Sequence, residues 1–297
     1  MTATAEANYL DTDRALVDQA LDRYLPPADA YPPSIHQAVR YSATAGGKRL
    51  RGILCLETGR LFGGNEESLL RLASALEMVH SYSLIHDDLP ALDNDDLRRG
   101  QPTCHRAFGE ATAILAGDAL LTLAFETLAA PGLPRDDLKL RVLYELAGAI
   151  GTRDGMIAGQ VVDLEAAKSG ADATGVEFIH SAKTGALIRA SVRGGAVYAD
   201  APEADIACVT AYGSKIGLAF QIVDDLLDLL GSREAMGKGV RKDGQQHKAT
   251  HPGLHGIEKS RQVAAGLVEE ACALLAPYGG RADRLREIAD YLIARNT

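Results

Sequence analysis

SYSLIHDDLPALDNDDLRR, Ser81–Arg99, is the stretch on which the reading of this chain turns. The apolar pair Leu84-Ile85 delivers five carboxylates, Asp87, Asp88, Asp93, Asp95 and Asp96, and two arginines, Arg98 and Arg99, follow at once. A second acid cluster, Asp224-Asp225-Leu226-Leu227-Asp228, ends another apolar run, Ile216–Val223. Carboxylates gathered at the ends of buried helices repel one another unless cations sit between them.

The second cluster has the simpler geometry. At about 100° per residue Asp224 and Asp228 share a helix face, with Gln221 one turn earlier. Such a pair is unfavourable as neighbours but chelates a divalent cation. A solvated helix end is the plainer explanation. Against it, acids there oppose the helix dipole, and the flanking residues, VDDLLDLL, are apolar. In the first cluster a continuous helix would place Asp93 about 240° round from Asp87. Pro90 lets the chain leave the helix, so Asp93 is expected to swing back toward Asp87, with Asp95 and Asp96 in a solvated loop.

Oxygen-only donors favour Mg²⁺ or Ca²⁺, and Mg²⁺ binds through one or two carboxylates while phosphate supplies further ligands. The chain also offers cations for a phosphate. Lys48 and Arg51 follow Gly46-Gly47, Arg98 and Arg99 follow the first cluster, Lys183-Thr184-Gly185 is expected in a helix, and Lys238 and Lys248 lie in a polar stretch. His80 lies seven residues before Asp87, on the same helix face about 10 Å away; a hydrogen-bonded core histidine is the plain alternative. Glu77-x-x-His80 and Glu177-x-x-His180 have the ligand spacing of di-iron bundles, but that model leaves both aspartate clusters unexplained.

Working outward, helical periodicity dominates and no alternating strand pattern stands out. Helices are expected over Asp11–Tyr24, from Pro33-Ser34 through His36–Ala45, from the Lys48-Arg49-Leu50-Arg51 stretch to about Phe62, and over Glu66–Asp88, Glu110–Leu128, Asp136–Thr152, Met156–Leu164, Val176–Val197 and Pro202–Leu230. The Glu110–Leu128 helix is apolar almost all round, as a central core helix would be. Gly231–Pro252 is polar and glycine-rich and reads as a mobile loop, followed by two or three closing helices. The expectation is one all-α domain, residues 1–297.

With 297 residues, 46% of them hydrophobic, the chain suits a globular protein, and its net charge of −9 argues against a nucleic-acid backbone as partner. Four scattered cysteines, Cys55, Cys104, Cys208 and Cys272, give no zinc signature or disulfide framework. No signal peptide is visible, and no uninterrupted apolar run reaches the ~18 residues of a membrane span. A cytoplasmic protein with no membrane span is expected.

At this point the residues resemble a family, the trans-isoprenyl diphosphate synthases, and within it the bacterial farnesyl diphosphate synthases. GGKRLR (Gly46–Arg51), the stretch His80–His105, AILAGDALL, KTGALIRA (Lys183–Ala190) and GLAFQIVDDLLD (Gly217–Asp228) each resemble family motifs, in the family's order. The resemblance implies an all-α barrel of about ten core helices around a deep central cavity, a homodimer, and a cluster of three Mg²⁺ ions (or Mn²⁺) held by aspartate motifs facing each other. It makes Asp87, Asp93 and Asp224 direct metal ligands, Asp88 and Asp228 direct or water-mediated ones, and Asp225 a support.

By the same resemblance, Lys183, Thr184, Gln221, Lys238 and Arg98 would hold an allylic diphosphate. Lys48, Arg51, His80 and Arg99 would hold isopentenyl diphosphate. The implied reaction joins the two into a short trans-prenyl diphosphate. Tyr82 and Ser83, below Asp87, would set chain length; an aromatic at Tyr82 resembles short-chain synthases and points to farnesyl diphosphate (C15), with geranylgeranyl diphosphate (C20) as the alternative. A class I terpene cyclase, more remote, would lack the second D-D-x-x-D. Gly52 stands where the family commonly has Pro, and Arg241, His247 and His251 depart from the pattern in the polar loop.

Overall fold

The computed structural model describes residues 3–169, 172–237 and 250–294, with side chains from 9 to 169, 172 to 230 and 250 to 294. Lys238, Arg241, His247 and Lys248 lie outside the described residues. The chain divides into two compact units, one of Met1–Leu143 with Val197–Asp200, the other of Tyr144–Ala196 with Ala201–Thr297. Both are helical, as the periodicity implies.

The first unit contains α1 (Ala3–Tyr24), α2 (Pro33–Ala43), α3 (Leu50–Leu61), α4 (Glu66–Asp87), α5 (Cys104–Phe108), α6 (Glu110–Ala129) and most of the first turns of α7 (Asp136–Ile150). α4 is its axis. Asn65 caps it by accepting from the Ser68 N–H, and Glu66 and Glu67 sit favourably in its first turn. Its Leu69, Leu72, Leu76, Met78 and Val79 are buried, and it packs against α1, α3 and α6.

α6 differs from expectation. It buries one stripe, Ala113, Ala116, Gly117, Leu120, Ala124 and Leu128, and leaves Ile114 and Leu115 exposed. A helix rich in Ala and Leu all round need not be central; here the small residues mark the packed face.

A small antiparallel hairpin, β1 (Leu97–Arg98) with β2 (Gln101–Pro102), also escaped the periodicity. Two residues per strand carry no alternation to read. Its loop residues Arg99 and Gly100 both have positive φ, 54° and 77°, which matches the twist a two-residue hairpin needs.

The second unit contains α8 (Met156–Ser169), α9 (Ala173–Ile179), a π-helical turn (His180–Gly185), α10 (Ala186–Tyr198, whose last two residues count with the first unit) and α11 (Glu203–Gly237). It closes with α12 (His251–His255), α13 (Ile257–Leu274), a 3₁₀ turn (Ala276–Ala282) and α14 (Asp283–Ala294). Ile222, Val223 and Leu226 of α11 pack with Ala264 of α13, and the Tyr212 hydroxyl donates to the Leu285 carbonyl at 2.7 Å. α11 continues through Gly231 to Gly237, past the expected end at Leu230.

By length and hydropathy alone α6 and the Glu203–Leu230 part of α11 are long and apolar enough to cross a membrane. Each contributes its small and branched residues to the core of its unit, and Asp118, Glu126, Asp205 and Lys215 interrupt their apolar runs.

Candidate active site

At the C-terminus of α4 the expected reversal is present. The Asp93 N–H donates to the Asp87 carbonyl at 2.8 Å, and the Asp95 N–H to the Asp88 carbonyl at 3.2 Å. Pro90 follows the last helical turn, so the chain folds back and sets Asp93 beside Asp87. Tyr82, buried one turn before His86, packs edge-on against that imidazole at 5.6 Å between ring centres. Burial and the Asp87 charge together hold the Tyr82 phenol above its ordinary range. Ser83 donates to the His80 carbonyl at 2.8 Å. His86 in turn meets the Ile114 carbonyl at 3.1 Å, and a Cβ at Gly117 would overlap its ring.

Asp88 has a different setting from Asp87. It is buried, and Arg98 donates to both its oxygens at 2.8 and 2.9 Å from Nε and at 2.5 Å from Nη2. Burial raises its pKa despite the neighbouring guanidinium. Asp88, expected to bind metal, and Arg98, expected to hold a diphosphate, thus satisfy each other in this structure. The hairpin β1–β2, which brings Arg98 back to Asp88, could not be read from the sequence.

The remaining basic candidates of this unit gather around His80. Burial, then the charges of Arg51, Arg99, Arg49 and Arg98, push its pKa well below the ordinary 6.5, so the imidazole is neutral at pH 7. Arg99 donates to the Gly46 carbonyl and lies over Gly47, where a Cβ would come 2.7 Å from its guanidinium carbon. Lys48 is exposed on the same loop. Of these four arginines, Arg49 is paired with Asp18 and Glu77 and Arg98 with Asp88.

In the second unit Lys183 and Thr184 sit on the π-helical turn, a form that recurs at functional sites. Lys183 Nζ donates to Asp163 of α8 at 2.7 Å. Thr184 donates to Gln221 at 2.6 Å, and Gln221 donates to Asp225 at 3.1 Å. Asp225 also meets His180 Nε2 at 3.0 Å and accepts the His251 N–H at 3.0 Å, so both its oxygens are engaged. Glycines permit this crossing: a Cβ at Gly217 would lie 2.8 Å from the Gly185 Cα, and one at Gly159 would overlap the Lys183 backbone nitrogen.

Asp224 is half-buried and Asp228 exposed, while Asp225 between them is buried. Sequence reasoning missed Asp163 and the His180–Asp225 pair. The only trace was the small-residue spacing of Gly155 and Gly159 just ahead of Gln160 and Asp163.

Among the described residues no three His, Cys, Asp or Glu side chains converge as a ready-made metal cage. The donors the aspartate clusters offer are carboxylate oxygens, which suit Mg²⁺, a cation that keeps waters and takes phosphate oxygens as further ligands. A cavity of about 620 Å³ lined by Tyr144, Glu145, Arg189 and Arg193 contains none of the residues expected at the site.

The polyprenyl synthetase family model matches residues 32–277. A dimethylallyltranstransferase of Fischerella ambigua is 47% identical over 97% of this chain and 83% of its own length. The farnesyl diphosphate synthase of Escherichia coli is 45% identical over 94% of this chain and 95% of its own length. A geranylgeranyl diphosphate synthase of Cyanophora paradoxa is 45% identical over 97% and 96%. Among solved structures, an FPP/GFPP synthase from Zymomonas mobilis superposes with a TM-score of 0.88 at 39% identity, covering 98% of this chain and all of that one. The chain belongs to the polyprenyl synthetase family of trans-prenyl diphosphate synthases.

Proposed function

We propose that this transferase condenses isopentenyl diphosphate with dimethylallyl and then geranyl diphosphate, and stops at farnesyl diphosphate. The observation that carries the chemistry is the turn-back at the end of α4, which sets the Asp93 amide on the Asp87 carbonyl about two helical turns beyond His80. Asp87, Asp93, Asp224 and Asp228 are the carboxylates that would hold Mg²⁺. When bound, Mg²⁺ would neutralise the charge that grows on the departing diphosphate.

The other roles belong to the protein's own side chains. Lys183, Thr184 and Gln221 hold the allylic diphosphate, with Asp163 and Asp225 fixing their positions. Lys48, Arg51 and Arg99 hold isopentenyl diphosphate, and neutral His80 adds a hydrogen-bonding group without adding charge. Arg98 acts through Asp88, steadying the end of α4. The allylic carbon–oxygen bond breaks, a carbon–carbon bond forms to isopentenyl diphosphate, and diphosphate and one proton are released.

Tyr82 supports a C15 product, since a buried ring so close behind Asp87 leaves little room for a longer tail. The geranylgeranyl synthases among the relatives support C20 instead. Incubation with Mg²⁺, isopentenyl diphosphate and dimethylallyl, geranyl or farnesyl diphosphate in turn, with product length read by mass, separates the two. The C15 reading expects farnesyl diphosphate from the first two primers and no extension of the third, and longer products from Tyr82→Ala. A C20 product from the unaltered protein would reject it. Asp87→Ala and Asp224→Ala should each lose at least 10³-fold in turnover while the fold persists, an effect of the size seen when a major electrostatic contributor is removed.

We also place the protein as a homodimer, in a reducing compartment such as the cytoplasm. The exposed apolar side chains Ile114 and Leu115 of α6 and Leu140 of α7 support the first, and four free cysteines the second.

A further inference from the structure

The pair Glu77-x-x-His80 has a purpose that no metal explains. Between α2 and α3 the chain turns through Gly46, Gly47 and Arg49, all at positive φ (78°, 124° and 50°). The glycines tolerate this; an arginine in the left-handed region is disfavoured, because its Cβ crowds the following carbonyl oxygen. Arg49 is held there by its own side chain, which is only 2% exposed. Its Nε donates to Asp18 at 2.7 Å, its Nη2 to the Ala43 carbonyl at 2.8 Å, and its Nη1 lies 3.6 Å from Glu77 Oε2.

Glu77 is buried to the same degree, and its other oxygen accepts the Gly52 N–H at 3.0 Å. Gly52 lies in the first turn of α3, where amides have no partner within the helix. A carboxylate at that end is doubly suited, by hydrogen bond and by the helix dipole. A proline in place of Gly52 would have no N–H to give. Gly52 also lacks room for a side chain, since a Cβ would lie 2.9 Å from Val17 Cγ1. One buried carboxylate therefore grips both ends of the segment 49–52, the segment from which Arg51 projects and which Lys48 adjoins. It does so from one turn below His80 on α4.

We propose that Glu77 is a positioning residue for the isopentenyl diphosphate side of the site, acting through Arg49 and the Gly52 amide to register Lys48 and Arg51 against His80. The proposal rests on the assignment of Lys48, Arg51 and His80 to isopentenyl diphosphate. It assigns Glu77 no contact with substrate.

Glu77→Leu, Glu77→Gln and Gly52→Pro, with Gly52→Ala as the control that keeps the amide, test it in steady-state assays with each substrate varied in turn. Glu77→Leu should raise the KM for isopentenyl diphosphate at least tenfold and leave that for the allylic substrate within twofold. Glu77→Gln, which retains an acceptor for Gly52, should recover part of the loss. Gly52→Ala brings the same added Cβ against Val17 as Gly52→Pro but keeps the N–H, so the isopentenyl KM should rise at least fivefold more in Gly52→Pro than in Gly52→Ala. Equal rises in both KM values, no rise in either, or equal effects of Pro and Ala at position 52 would overturn the proposal.

Hydrogen exchange over residues 46–53, without substrate, reads the grip directly and serves for any variant too unstable to assay. Faster exchange in Glu77→Leu than in the unaltered protein is expected, and equal rates would overturn the proposal. If Lys48→Ala and Arg51→Ala leave the isopentenyl KM unchanged, the substrate assignment fails while the exchange result still decides whether Glu77 holds the loop.

Discussion

His80 shows how much a single residue's surroundings decide. Its folded pKa lies well below the ordinary 6.5 because it is buried among arginines. The unfolded chain therefore takes up a proton at this site before the folded protein does. Stability from this residue is complete above about pH 6.5 and falls as the pH drops toward the depressed folded pKa. The melting temperature should decline between pH 7 and pH 5.5, and His80→Gln should flatten that decline; identical pH profiles would show that other groups dominate. Position alone placed His80 on the Asp87 face of α4 in the sequence, since seven residues make nearly two turns. Its neutrality was not legible, because it depends on arginines 18 and 19 residues further on as well as on the Gly46–Arg51 segment. Asp88 and Arg98 teach the same lesson, their pairing being hidden in a hairpin too short to leave a pattern.

At the scale of elements, most helix limits were legible because glycine, proline and asparagine punctuate them. α4 ends at Asp87, within a residue of the expected Asp88, and Pro90 accounts for the reversal. The stretch 176–197 was read as one helix, whereas it is α9, a π turn and α10. Six residues at a slightly wider pitch cannot be told from an α-helix by apolar spacing. What forces them apart is contact: Gly159 of α8 lies against the Lys183 backbone, and Gly217 of α11 against Gly185. Gly159→Ala would push a methyl group into that backbone. Overpacking of this kind typically destabilises by about 1–3 kcal/mol, and displacement of Lys183 should lower turnover at least tenfold. Melting curves and kcat measured together check both, and full activity in that variant would show that the π turn can shift without harm. α11 outran its expected end because one glycine in a helix costs only about 1 kcal/mol, which does not stop a helix packed along its length.

For the whole molecule, a net charge of −9 coexists with a local gathering of arginines near His80, where the proposed isopentenyl diphosphate site lies. Bulk charge argues against a nucleic-acid partner but says nothing about where the positive charge lies. The apolar face of α6 belongs to the same scale: Leu115 is 58% exposed and Leu140 67%. Leu115→Glu should convert the proposed dimer to monomer in size-exclusion chromatography with light scattering; an unchanged mass would place the contact elsewhere.

The last consequence comes from α4. Glu77, His80, Tyr82 and Asp87 all stand on it, within about 15 Å of rise. They are teeth on one key. A slip of a single residue would turn every one of them by about 100° at once, so in the proposed roles the helix has no way to trade tail length against headgroup affinity by moving. New specificities in this scaffold must come from exchanging a tooth while the shank stays still.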